Sequence, residues 1–141
     1  MQAFEVIFPD TVPWLRARLE AGLAASTKTY ARDVWVASKL PNPVRDRMVI
    51  LTNNSGPDSG PQKIERYGVN VWASGYDAQG LAALCSAILR RSADGKPVTR
   101  LQVTGGPYDI SDEDDAVTSV GGKVLNHYFF TLELTVRGVN F

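Results

Sequence analysis

Hydrophobic and polar residues alternate longest near the C-terminal end, in Tyr128-Phe129-Phe130-Thr131-Leu132-Glu133-Leu134-Thr135-Val136-Arg137. Tyr128, Phe130, Leu132, Leu134 and Val136 fall on one side, and Phe129, Thr131, Glu133, Thr135 and Arg137 on the other. A period of two is that of a half-buried strand, so this stretch is expected to be a principal strand of a sheet. The run Ile64–Ala73 alternates in the same way, with Tyr67, Val69, Val71 and Ala73 opposed to Arg66, Gly68, Asn70 and Trp72. Met48-Val49-Ile50-Leu51 is apolar without a break, which predicts a strand covered on both faces. Val34-Trp35-Val36 and Val98–Thr104 read as further strands, and Phe4, Val6 and Phe8 outline a short strand or arm.

Two segments have helical spacing instead. Val12, Leu15, Leu19 and Leu23 form one stripe, with Asp10 or Thr11 as cap, Pro13 in the first turn and Gly22 onward as the end. Leu81, Leu84, Cys85, Ile88 and Leu89 form a second, with Asp77 as cap and Arg90 and Arg91 suited to the C-terminal dipole. Lys39-Leu40-Pro41-Asn42-Pro43 is an extended turn, and Gly105-Gly106-Pro107 is expected to break its strand. Asn53 to Gln62 and Tyr108 to Val124 read as long loops, of the kind that serve binding in small domains. The expected fold is α+β: a mainly antiparallel four- to five-stranded sheet with two helices packed on one face, in a single domain spanning 1–141.

With 141 residues, 44% hydrophobic and 21% charged, the chain can bury a core without metal or disulfide staples. Fifteen basic and fifteen acidic residues cancel, so no global field draws it to nucleic acid or an anionic membrane. No signal peptide or membrane-spanning run is visible, which points to synthesis in the cytoplasm. The one cysteine, Cys85, lies on a helical apolar stripe, where a thiol acts as a small hydrophobe. The one histidine, His127, opens the last strand, a position that more often holds a strand-end residue than a catalytic base. Asp112-Glu113-Asp114-Asp115, with Asp109, invites a hard cation but lacks the spacing of an EF-hand loop. Neither GxGxxG nor GxxxxGK[ST] occurs, so no phosphate-cradling loop is expected. Trp14, Trp35 and Trp72 suit either a core or an interface. These signs favour a non-enzymatic protein without cofactor or metal.

Pro41-Asn42-Pro43 followed by Met48-Val49-Ile50-Leu51, then Arg66-Tyr67-Gly68-Val69-Asn70-Val71-Trp72-Ala73, the Ala-rich helix from Asp77, Gly105-Gly106-Pro107, and Tyr128 through Gly138 form an ordered succession. That succession, covering the chain from about Val34 to its end, resembles the tail terminator proteins of long-tailed bacteriophages, especially those of actinobacterial hosts. The order and spacing of the segments carry the resemblance. It implies a virion protein at the head-proximal end of the tail that forms a homohexameric ring. Such a ring caps the tail tube, stops its polymerisation, contacts the tail tube protein and a head completion protein, and lets DNA pass through its lumen. The family supplies no site motif. The candidate interface residues are therefore read from the loops and from the polar side of the last strand: Asp112, Glu113, Asp114 and Asp115 toward the lumen or tube; Asn53, Asn54, Ser55 and Asp58 toward a neighbouring ring or the tube; and Thr131, Glu133, Thr135 and Arg137 toward another subunit. Another head–tail connector or minor tail protein is the alternative within virions. A small-molecule-binding domain or hydrolase using a cleft near His127 is the alternative outside them.

Overall fold

The computed structural model describes residues 6–7, 10–54, 62–112, 114 and 116–140. Its elements run β1 (Val6–Ile7), α1 (Val12–Ala25), a short 3-10 turn (Thr29–Ala31), β2 (Trp35–Ala37), β3 (Met48–Asn53), β4 (Gln62–Ser74), α2 (Asp77–Arg90), β5 (Val98–Asp109), β6 (Val117–Thr118), β7 (Val124–Arg137) and β8 (Val139–Asn140). The fold is α+β. The main sheet is six-stranded and mixed, in the order β2-β3-β4-β7-β5 with β6 beside β7, rather than the expected four or five strands. All its pairings are antiparallel except β2 with β3, where Trp35, Val36 and Ala37 lie opposite Met48, Val49 and Ile50 in parallel. The extended stretch after β2 returns the chain to the start of its own strand, so β3 runs in the same direction. A separate two-stranded ribbon pairs β1 with β8. Phe4 and Phe8 lie outside the described residues.

The long alternation is the centre of this sheet. β7 pairs along its length with β4 from Ser74↔Leu125 to Gln62↔Arg137, and with β5 on its other side. Its apolar residues Phe130, Leu132, Leu134 and Val136 join Tyr67, Val69, Val71 and Ala73 of β4 under both helices. Leu15, Leu19 and Leu23 of α1, and Leu81, Cys85, Ile88 and Leu89 of α2, close that core from above, so both helices cover the same face. Burying each large side chain is worth roughly 1.5–3 kcal/mol, an upper bound because the unfolded chain is not fully extended. The apolar run in β3 divides as expected: Val49 and Leu51 enter the main core, while Met48 and Ile50 join Leu125 in a smaller cluster on the opposite face. Cys85 is fully buried, and desolvation pushes its thiol up to about 12, which keeps it protonated.

Local signals failed where tertiary contacts override them. Thr11 does occupy the cap position of α1, yet its hydroxyl makes no capping bond. It reaches instead across the core to the Glu65 carboxylate and, at 2.6 Å, to the Tyr67 hydroxyl. Tyr67 in turn donates to Glu65 over 3.0 Å. All three residues are buried, so the triad satisfies groups that would otherwise be stranded away from water. Burial is also the main cause that raises the Tyr67 pKa above its ordinary value. Asp10 Oδ1 takes over at the helix start, accepting from the Val12 N–H at 3.0 Å. Asp77 lies inside the first turn of α2 rather than at its cap, which is Tyr76, and its carboxylate stands 3.7 Å from Arg47. The helix α1 ends at Ala25 with Ser26 as cap, inside the Ala-Ala-Ser-Thr run that follows Gly22, as expected; Gly22 itself faces α2, where an added Cβ would lie 2.6 Å from Ile88.

Gly105-Gly106-Pro107 does not stop β5. The strand runs on to Asp109 through register shifts that absorb the irregular residues as bulges. The expected loop from Tyr108 to Val124 is correspondingly shorter, and β6 within it pairs with the start of β7.

Candidate functional site

Of the expected interface residues, those on β7 lie on the face of the sheet away from the helices. Thr131, Glu133 and Thr135 stand in succession on it, each partly exposed. Because β7 is central, these residues belong to a sheet face and not to an edge. Their cross-strand neighbours continue the pattern. Arg66 Nε lies 3.3 Å from Glu133 Oε2, Thr104 and Thr131 share a hydroxyl contact of 2.8 Å, and Gln102 and Arg100 sit opposite Glu133 and Thr135 on β5. Gly68 gives the Phe129 ring its place, since a Cβ there would lie 2.8 Å from that ring.

Arg137 is exposed at the end of β7, level with Gln62. Asn53 ends β3, and Asn54 follows it, its N–H donating to Arg66 O at 2.7 Å. Ser55 and Asp58 lie outside the described residues, as do Glu113 and Asp115 of the acidic run. Asp112 and Asp114 are exposed, and Asp112 Oδ1 closes a tight turn by accepting from the Asp114 N–H at 3.0 Å. Strand register puts the two groups toward opposite ends of the sheet: Asn53 faces Tyr67, while Asp112 neighbours the His127–Trp72 end. Among the described residues, Asn53 and Asn54 are therefore not brought together with Asp112 and Asp114.

The structure does bring Asp112 to His127. These residues line a cavity of about 330 Å³ with Trp72, Ile110, Val117 and Leu125. His127 stacks on Trp72 with ring centroids 3.9 Å apart and planes 16° from parallel. Its Nε2 is 2.9 Å from Asn70 Oδ1. Asn70 Nδ2 is turned toward Ile50 O and Thr52 Oγ1, so the amide oxygen faces the imidazole and can only accept. The proton of the neutral ring is thus on Nε2. Desolvation lowers the His127 pKa below its ordinary 6.5, with the Asp109 carboxylate opposing that shift. Asp109 is itself held low, chiefly by hydrogen bonds from Ser111 and further by His127. The Ser111 hydroxyl is engaged at the strand, 2.9 Å from the His127 main-chain nitrogen.

A cleft near His127 is the alternative named from the sequence, whereas nothing local joins Asp112 to that histidine. They meet because β5 and β7 pair, with Asp109 opposite Tyr128. The direction of the His127 shift predicts a pH effect. With the folded value below the unfolded one, the unfolded chain binds more protons between the two. Stability should be fully present above about 6.5 and fall as pH drops from there through the folded value. His127→Gln should remove that part of the pH dependence in urea titrations; an unchanged profile would assign it to other groups.

No protein family model matches the chain, and no characterised protein matches it in sequence.

Proposed function

We propose that this protein is a structural subunit of a phage tail, a tail terminator that assembles as a ring on the tail tube, stops its growth and offers the head-joining surface. The observation that carries the reading is the two-sided sheet. Both helices cover one face, while the other presents a broad, charge-paired surface of Arg66, Glu133, Thr131, Thr104 and Gln102. Such a surface suits reversible burial against another protein, because its polar groups have partners before and after contact. The two loops read as partner-binding leave the sheet at opposite ends, as a collar between two different neighbours requires. Fifteen acidic and fifteen basic residues fit a collar that lets DNA slide without gripping phosphate.

The test is the mass of the purified protein by light scattering, with negative-stain images of any large species and of added tail tubes. A hexamer-sized ring with a central hole, free or capping the tube, is expected. A monomer that leaves tube ends uncapped would overturn the reading. A second reading, a small-molecule-binding domain, is favoured by the cavity beside His127, whose volume is near the lower end of the roughly 300–1,000 Å³ of ligand sites. A metabolite that copurifies in that cavity would move the assignment there.

A further inference from the structure

The cavity beside His127 has an unused counterpart on the same molecule. Of its lining residues Ile110 is 43% exposed, Leu125 is buried and Asp112 is exposed. Asp109, also exposed, acts electrostatically on His127, so a second carboxylate lies close to this lining. The chain carries the complement after β2. Leu40 is 49% exposed there, preceded by the exposed Lys39 and followed by Pro41. This loop is held in place: the Trp35 indole N–H donates to Lys39 O at 3.4 Å, and the Arg45 guanidinium lies 5.1 Å from the centre of the Trp35 ring. A large apolar side chain on a braced loop loses little freedom on docking.

We propose that Leu40 of one copy seats in the His127 cavity of the next, with Lys39 set against Asp112, and that this contact closes the ring. The proposal rests on the ring reading above and names the surfaces that make the ring. Plug and socket are made of different residues, the plug beyond the edge strand β2 and the socket among β4, β6 and β7, and they are neighbours on one face, since Trp35 packs in the same small cluster as Trp72, Val117 and Leu125. Each copy can therefore give its plug to one neighbour and accept a plug from another, the head-to-tail arrangement that a closed ring requires. Leu40 and the Trp72–His127 stack supply the buried apolar contact. Lys39 and Asp112, being exposed, contribute register and partner choice more than affinity.

Two experiments test the contact in the full-length chain. In the first, chains bearing Leu40→Cys and chains bearing Ile110→Cys are mixed and treated with a short bismaleimide. The buried, protonated Cys85 does not compete. A linked heterodimer is expected from the mixture, and its absence at high protein concentration overturns the contact. In the second, Leu40→Asp should weaken association about tenfold or more while far-UV circular dichroism and thermal midpoint stay those of the parent. Asp112→Lys should weaken it too, and Lys39→Asp added to Asp112→Lys should restore it. Rings formed equally well by Leu40→Asp would sink this contact and leave the ring reading standing. A closed dimer cross-linked at both sites would overturn the head-to-tail arrangement.

Discussion

Phe130→Ala is expected to destabilise the folded chain by about 3–5 kcal/mol, the range of a large aromatic ring removed from a core that cannot close over the gap. The side chain is fully buried at the middle of β7, opposite Val69 of β4 and beneath both helices. Its surroundings cannot easily collapse into the space. β7 is clamped between β4 and β5, and Leu132 and Leu134 on the same face are as deeply buried. Against a total stability of roughly 5–15 kcal/mol for a domain of this kind, the loss is a large fraction of the whole. Urea unfolding should show the midpoint falling at unchanged slope. The adjacent Phe129→Ala is the control. Its ring is only partly buried on the open face, packed over Gly68, and its truncation should cost clearly less. Equal costs would mean that the open face is covered within the monomer, which would remove the surface on which the proposed assembly depends.

That contrast between neighbouring phenylalanines is legible in the alternation, because a strand with one buried face writes its orientation into every second residue. The helices are legible for a similar reason: Leu15, Leu19 and Leu23, and Leu81, Cys85, Ile88 and Leu89, recur at the helical period and are all buried. What escapes depends on partners distant in sequence. Thr11 is an ordinary cap by local rules, and only the fold brings it to Glu65 and Tyr67, where a buried carboxylate gains more from a hydroxyl than the helix end does. The direction of β3 relative to β2 stays hidden because prolines announce an extended path without saying where it leads.

The candidate site divides along the same line. The alternation alone sets Thr131, Glu133 and Thr135 on one polar side of β7, and they do share the uncovered face. Of the cavity only its place near His127 is legible; its lining is not, since it needs Trp72 of β4 stacked on His127 of β7 and Asp112 carried to them beyond the end of β5. A lone histidine and an acidic run, read separately, each have a bland explanation. Only their juxtaposition across a strand pairing gives them a shared surface to act through.

Gly106→Ala should be the next most damaging change, at about 2–5 kcal/mol, the sum of a backbone strain and an overpacking cost. Gly106 has φ +88, where an L side chain is strained by roughly 1–2 kcal/mol. An added Cβ would also lie 2.6 Å from Phe129 O and 3.0 Å from Phe130 Cα, so the obstruction is the backbone of the central strand. Relief requires β5 to move away from β7, an overpacking cost of about 1–3 kcal/mol. Gly75→Ala separates the two contributions. Gly75 has φ +59 but nothing within 4 Å of its Cβ position, so that variant should show the conformational strain alone. The difference between the two urea-derived stabilities then measures the close approach of β5 to β7. Because the displaced segment leads through Tyr108 and Asp109 to Ile110, Gly106→Ala should also disturb the cavity wall. Ring assembly should weaken in Gly106→Ala and not in Gly75→Ala, even under conditions where both remain folded. Equal assembly by the two variants would mean that the end of β5 takes no part in holding a neighbour.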